Sequence, residues 1–115
     1  MNDDQRRLED ILVAIADATT IASRGRAAFD ADPLVVRAAK NIVTQIGEAA
    51  RALSGATIEA IPDVPWRALA GMRNRTINRY PEVDLDVLWD TLVYDLPELE
   101  EQIRDHLGVE PRSDS

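Results

Sequence analysis

Apolar positions recur along this chain at steps of three and four, the period of a helix with one buried face, and no stretch alternates as a strand would. Four amphipathic segments follow from that pattern. The first is predicted over residues 4–29, with Leu8, Ile11, Leu12, Ile15, Ala18 and Ala22 as its stripe. The second begins behind Asp32-Pro33, a capping side chain followed by a proline whose missing N–H has no partner to lose in a first turn. It runs to Leu53, with Val35, Ala38, Ile42, Ile46, Ala49 and Leu53 facing inward. Asn41, Gln45 and Glu48 form a separate polar line on it, either solvated or turned toward an internal polar site.

Residues 54–65 hold Gly55, Pro62 and Pro65 and read as a loop with one short helical turn. A third helix is predicted from Pro65-Trp66 and has to stop before Pro81, because the residue preceding a proline resists helical dihedrals. The fourth starts near Asp84, with Leu85, Leu88, Trp89, Leu92, Leu96, Leu99 and Ile103 as its apolar set. Pro97 is expected either to kink it or to follow a restart in which Asp95 caps and Glu98 stands three positions on. Gly108 ends it. Short links favour antiparallel neighbours, so the expected fold is an all-α, up-and-down four-helix bundle. A single domain over residues 1–108 and a flexible tail over 109–115 are expected.

Composition narrows the chemistry. The 115 residues suffice for one core without covalent staples. With no cysteine and only His106 as histidine, disulfides, thiolate metal sites, a histidine-built zinc site and a Ser-His-Asp triad lack their material. No apolar run reaches bilayer length and the first residues are polar and acidic, so a cytoplasmic location without a metal or cofactor is expected. The formal charge of -8 argues against a general nucleic-acid binder, but Arg67, Arg73, Arg75 and Arg79 fall close together. A local positive spot on an acidic body suits a specific anionic group; a row of surface arginines is the plainer alternative.

Trp66, Leu69, Ala70, Arg73, Ile77 and Tyr80 share one face of the predicted third helix. Arg73 thus interrupts an apolar stripe, where its charge calls for a carboxylate such as Glu48 or a wet cleft. Gly71, Asn74, Arg75 and Asn78 make a neighbouring polar stripe that could meet a second subunit. In an ideal helix Arg73 and Asn78 lie about 140° apart, so their side chains converge only if the helix loosens before Pro81 or if two chains share the site. Trp66 and Trp89 are expected as core anchors and His106 as a surface residue near a helix C-terminus. Glu98, Glu100 and Glu101 are expected on a solvated face, with Asp84 and Asp86 capping the fourth helix.

These residues carry a resemblance. Ile46-Gly47-Glu48-Ala49-Ala50, Pro65-Trp66, Met72-Arg73-Asn74-Arg75, Val83-Asp84, Leu88-Trp89 and Asp95-Leu96-Pro97-Glu98-Leu99 stand in the order and spacing of a HEPN-domain protein of the HepT-like toxin family. The family's signature is an arginine, four residues, a histidine, one residue and a tyrosine. Arg73 and Tyr80 match it, and Asn78 stands at the histidine position.

The resemblance implies a homodimeric, metal-independent endoribonuclease of a toxin–antitoxin pair, with RNA as substrate. The implied partner is a minimal nucleotidyltransferase antitoxin that transfers AMP to the tyrosine matching Tyr80. Catalytic roles carry over to Arg73 and to position 78, Asn74, Arg75 and Arg79 are expected to hold RNA phosphates, and Glu48 to support the site. Cleavage by the RNA 2′-hydroxyl needs a proton-transfer group, which histidine supplies near neutral pH, and positive charge for the phosphorane, which arginine supplies. Asparagine hydrogen-bonds but exchanges no proton at neutral pH, so the chain is expected to be catalytically impaired. An introduced or a selected loss of histidine both fit. A non-catalytic HEPN module that docks and regulates a nucleotidyltransferase is the alternative, and a plain helical scaffold with Arg73 in an ion pair is the third.

Overall fold

The computed structural model describes residues 3–66, 69 and 84–108. Among them every regular element is helical: α1 (Asp3–Ser23), α2 (Arg26–Ala31), α3 (Pro33–Ala52), α4 (Gly55–Ala60), α5 (Leu85–Asp90), a π-helical turn (Thr91–Asp95) and α6 (Leu96–Leu107). The expected all-α bundle is what forms. The greater part of the predicted third helix and the predicted tail 109–115 lie outside the described residues.

α1 opens with Asp3 and Asp4 in its first turn, where carboxylates favour the positive end of the helix dipole. It buries Leu8, Ile11, Ala14, Ile15 and Ala18. The predicted continuation to residue 29 is interrupted at Gly25, whose φ of 89° belongs to the left-handed region. Hydroxyls lead up to that break: Thr19 and Thr20 donate to the carbonyls of Ile15 and Ala16, and Ser23 donates to Thr20. Such back-bonding competes with the ladder, and the glycine then lets the chain turn. α2 restarts beyond it and carries Phe29 into the core, where its ring lies 5.2 Å from that of Trp89 at an interplanar angle of 45°.

α3 begins as expected, with the Asp32 carboxylate accepting the Leu34 N–H at 3.0 Å and Pro33 in the first turn. Its buried side is rotated slightly from the predicted stripe. Ala39, Ile42, Val43, Ile46, Gly47 and Ala50 are inward, Ala38 is exposed, and Val35 and Ala49 are half-buried. Ala38 and Ala39 weigh equally in a hydropathy pattern; the larger Ile42, Val43 and Ile46 set the rotation once α1 packs along α3. α4 occupies the expected short turn, capped by Ser54.

The fourth predicted helix is continuous through a change of pitch. Asp84 caps it by accepting the Val87 N–H at 3.1 Å, and Leu88, Leu92, Leu96, Leu99 and Ile103 are buried. The N–H of Leu96 bonds to Thr91 O, five residues back, which makes 91–95 a π turn. Pro97 stands directly behind it and has no N–H to offer the α-register acceptor four residues earlier. Asp95 has helical dihedrals and makes no capping bond, so the expected capped restart is not how the chain accommodates Pro97. Gly108 closes α6 with φ 70°. Side chains from α1, α2, α3, the 61–69 region and the last helix form one hydrophobic cluster.

Candidate functional site

The described residues bracket the arginine-rich stretch on both sides. On the N-terminal side, Ile61, Val64, Trp66 and Leu69 are buried together in the core. The Trp66 indole N–H donates to the carbonyl of Ile61 at 3.0 Å, and the Leu69 N–H donates to Pro65 at 2.9 Å, a first helical turn. Trp66 is therefore the core anchor expected of it. Trp89, half-buried against Phe29, is a lesser one.

On the C-terminal side Asp84 is the predicted cap, but Asp86 has a different role. Its carboxylate accepts from Arg26 Nη2 at 2.8 Å, while Arg26 Nε donates to Asp30 at 2.8 Å. Asp30 and then Asp86 hold the Arg26 guanidinium above its usual range. This arrangement ties α2 to the first turn of α5. Asp86 is largely exposed and Arg26 and Asp30 partly so, so the pairing contributes order more than stability.

Arg73, Asn74, Arg75, Asn78, Arg79 and Tyr80 lie outside the described residues, as does Arg67. Of the expected site residues only Glu48 is placed. It is exposed on α3 beside Gln45 and Ala49, at a groove of about 400 Å³ between α1 and α3. Asn41 and Gln45 are exposed as well. His106 is exposed in the last turn of α6, and Glu98 and Glu101 are exposed as expected. Glu100 differs: it is half-buried and accepts from Arg104 at 3.1 Å, one turn on.

The sequence reading gave Asp4 no role and Asp95 only a capping one. The carboxylate of Asp4, fifty residues from its partners, accepts from the hydroxyls of Ser54 and Thr57 and from the Ser54 N–H. The Ser54 hydroxyl, then that of Thr57, holds Asp4 below the ordinary carboxylate pKa. Asp95, in the π turn, is pushed upward by burial and then by Glu98 and Asp90. The acid spacing at 90, 95 and 98 hints at the second; nothing local hints at the first. No helix among the described residues is long and apolar enough to cross a membrane.

Comparison with known proteins fits this architecture. The model of the HepT-like ribonuclease family matches residues 9–105, and the chain belongs to that family. A protein of Caldanaerobacter subterraneus subsp. tengcongensis, named as an inferred RNase, is 37% identical over 82 residues, covering 71% of this chain and 73% of its own. A Thermococcus cleftensis protein named, also by inference, ribonuclease HepT is 41% identical over 54 residues, 47% of this chain and 49% of its own. A Methanocaldococcus jannaschii protein, again an inferred RNase by name, is 34% identical over 58 residues, 50% of this chain and 53% of its own. The matches thus span about half the length of several of these relatives. No solved structure gives a significant match.

Proposed function

We propose that this chain is the ribonuclease component of a toxin–antitoxin pair in a form disarmed at position 78. The observation that carries the reading is the family match over residues 9–105, within which Arg73 and Tyr80 keep the spacing of the RNA-cleaving signature. RNA is the substrate. Its 2′-hydroxyl attacks the adjacent phosphorus, the bond to the 5′-oxygen of the next nucleotide breaks, and a 2′,3′-cyclic phosphate and a 5′-hydroxyl result. Arg73 stabilises the phosphorane, while Asn74, Arg75 and Arg79 hold flanking phosphates. A histidine at 78 would move the protons, a contribution of about 10²–10⁴-fold, and Asn78 leaves that step unassisted. Two chains share the site, Glu48 supports it, and the protein works in the cytoplasm.

The partner in this reading is a minimal nucleotidyltransferase. The Tyr80 hydroxyl attacks the α-phosphorus of ATP, AMP is transferred to its oxygen and pyrophosphate leaves. Arginines around Tyr80 favour approach of the triphosphate.

The test sets the chain against its Asn78→His variant on a labelled cellular RNA pool with chelator present. Cleavage by the histidine form alone, with cyclic phosphate ends, supports the reading. A second reading, a non-catalytic module that docks and regulates the nucleotidyltransferase, is favoured by Asn78 itself. It takes over if neither form cuts while both bind that partner.

A further inference from the structure

The outward side of α1 carries a surface that the nuclease reading does not use. Asp10, Val13 and Asp17 stand at steps of three and four along it, on the rim of the groove that α1 makes with α3. Buried Ile11, Ala14 and Ile46 form the floor. Val13 is 65% exposed, among the most exposed large apolar side chains described, and it sits between the two carboxylates. Asp10 and Asp17 are exposed, and their carboxylates make no hydrogen bond or ion pair with other described residues.

Chemistry narrows what this surface takes. Two exposed carboxylates on a chain of net charge -8 repel phosphates, so an RNA backbone and an anionic membrane are disfavoured. Among the described residues no three His, Cys, Asp or Glu stand close enough to hold a metal ion, so the acids do not converge on one cation. They are spread instead. Seven residues of helix place Asp10 and Asp17 about 10 Å apart along the axis, with Val13 and Ala14 between them. A second helix with basic residues seven apart has the same repeat, and an apolar residue midway would fall on Val13.

We propose that the α1–α3 groove docks a basic amphipathic helix of a partner protein. Its Arg or Lys side chains reach Asp10 and Asp17, and an aliphatic side chain between them covers Val13 above the Ala14 and Ile46 floor. This is the helix-in-groove mode with a charged rim, in which the apolar contact sets residence time and the rim sets encounter rate and salt dependence. The inference is independent of the nuclease reading, because it uses Asp10, Val13 and Asp17, to which that reading gives no role.

The test uses the full chain and a fluorescent helical peptide with Arg at positions i and i+7 and Leu at i+3 and i+4, followed by anisotropy. Binding should fall about fivefold in Asp10→Asn/Asp17→Asn, at the scale of two exposed ion pairs, and by a similar factor in Val13→Ser. It should weaken steeply between about 50 mM and about 300 mM salt. Glu98→Gln/Glu101→Gln removes the same charge from α6 and should leave binding within about twofold. Equal loss in that control would reduce the effect to general attraction by an acidic protein. Indifference to Val13→Ser, or complete displacement by spermidine, would make the groove a polyamine site and overturn the proposal. Circular dichroism melts of each variant separate loss of binding from loss of fold.

Discussion

The indole N–H of Trp66 donates to the carbonyl of Ile61 at 3.0 Å inside the core, so the start of the third helix is fastened to the loop that precedes it. The ring fills space beside Val64 and Leu69, and its one polar atom has a partner. Trp66→Phe keeps most of the volume and leaves the Ile61 carbonyl only the Val64 N–H, at 3.4 Å. It should cost about 0.5–1.5 kcal/mol, the net worth of one hydrogen bond, whereas Trp66→Ala should cost about 3–5 kcal/mol through the added cavity. Urea unfolding of the two variants measures the difference.

Asp4 should make the chain sensitive to acid. Its folded-state pKa is lowered, chiefly by the Ser54 hydroxyl and then by Thr57. A depressed carboxylate contributes stability that is fully present above the unfolded value and lost as pH falls through the folded one. Asp4→Asn should therefore lower Tm near neutral pH, and the gap to the parent should close below the ordinary aspartate range. Thermal melts from about pH 7 down to about pH 2 follow it.

Asp95 has the opposite sign. Burial, followed by Glu98 and Asp90, raises its folded pKa, so its charged form is disfavoured in the fold. Below the unfolded pKa it is neutral in both states and has no effect; above the folded value it weakens the native state. Asp95→Asn should raise Tm at neutral pH and leave it unchanged in strong acid. A drop at neutral pH would show that the carboxylate makes a contact the fold depends on.

Gly25 has open space around its Cα, so a methyl group there would meet nothing within 4 Å. The cost of Gly25→Ala is then purely one of backbone, with φ at 89°, and should be about 1–2 kcal/mol. Ile15→Ala, at a side chain with no exposure, should cost about 2–5 kcal/mol. Equilibrium unfolding of both variants tests whether the α1–α2 corner or the core is the more sensitive.

Much of this architecture is local and was legible in the chain. The helical period, the Asp32-Pro33 start, the Asp84 cap and the Gly108 stop each rest on residues a few positions apart, and each forms as expected. The break at Gly25 was less so, because Leu12, Ile15, Ala18 and Ala22 keep the helical period almost up to it. The pitch change before Pro97 was half legible: proline announces a disturbance, but packing of Leu92 and Leu96 determines that a π turn absorbs it.

By itself the sequence determined the helices, their approximate ends, the family signature from Arg73 to Tyr80 and the absence of thiol chemistry, since these depend on residue type and short spacing. Only the tertiary structure decided which alanines of α3 turn inward and that Asp86 pairs with Arg26. It also decided that Asp4 reaches Ser54 and Thr57, and that Asp10, Val13 and Asp17 border a groove with α3. Those outcomes depend on how one helix rotates and slides against another, and that follows from packing the large side chains of the core rather than from any local pattern.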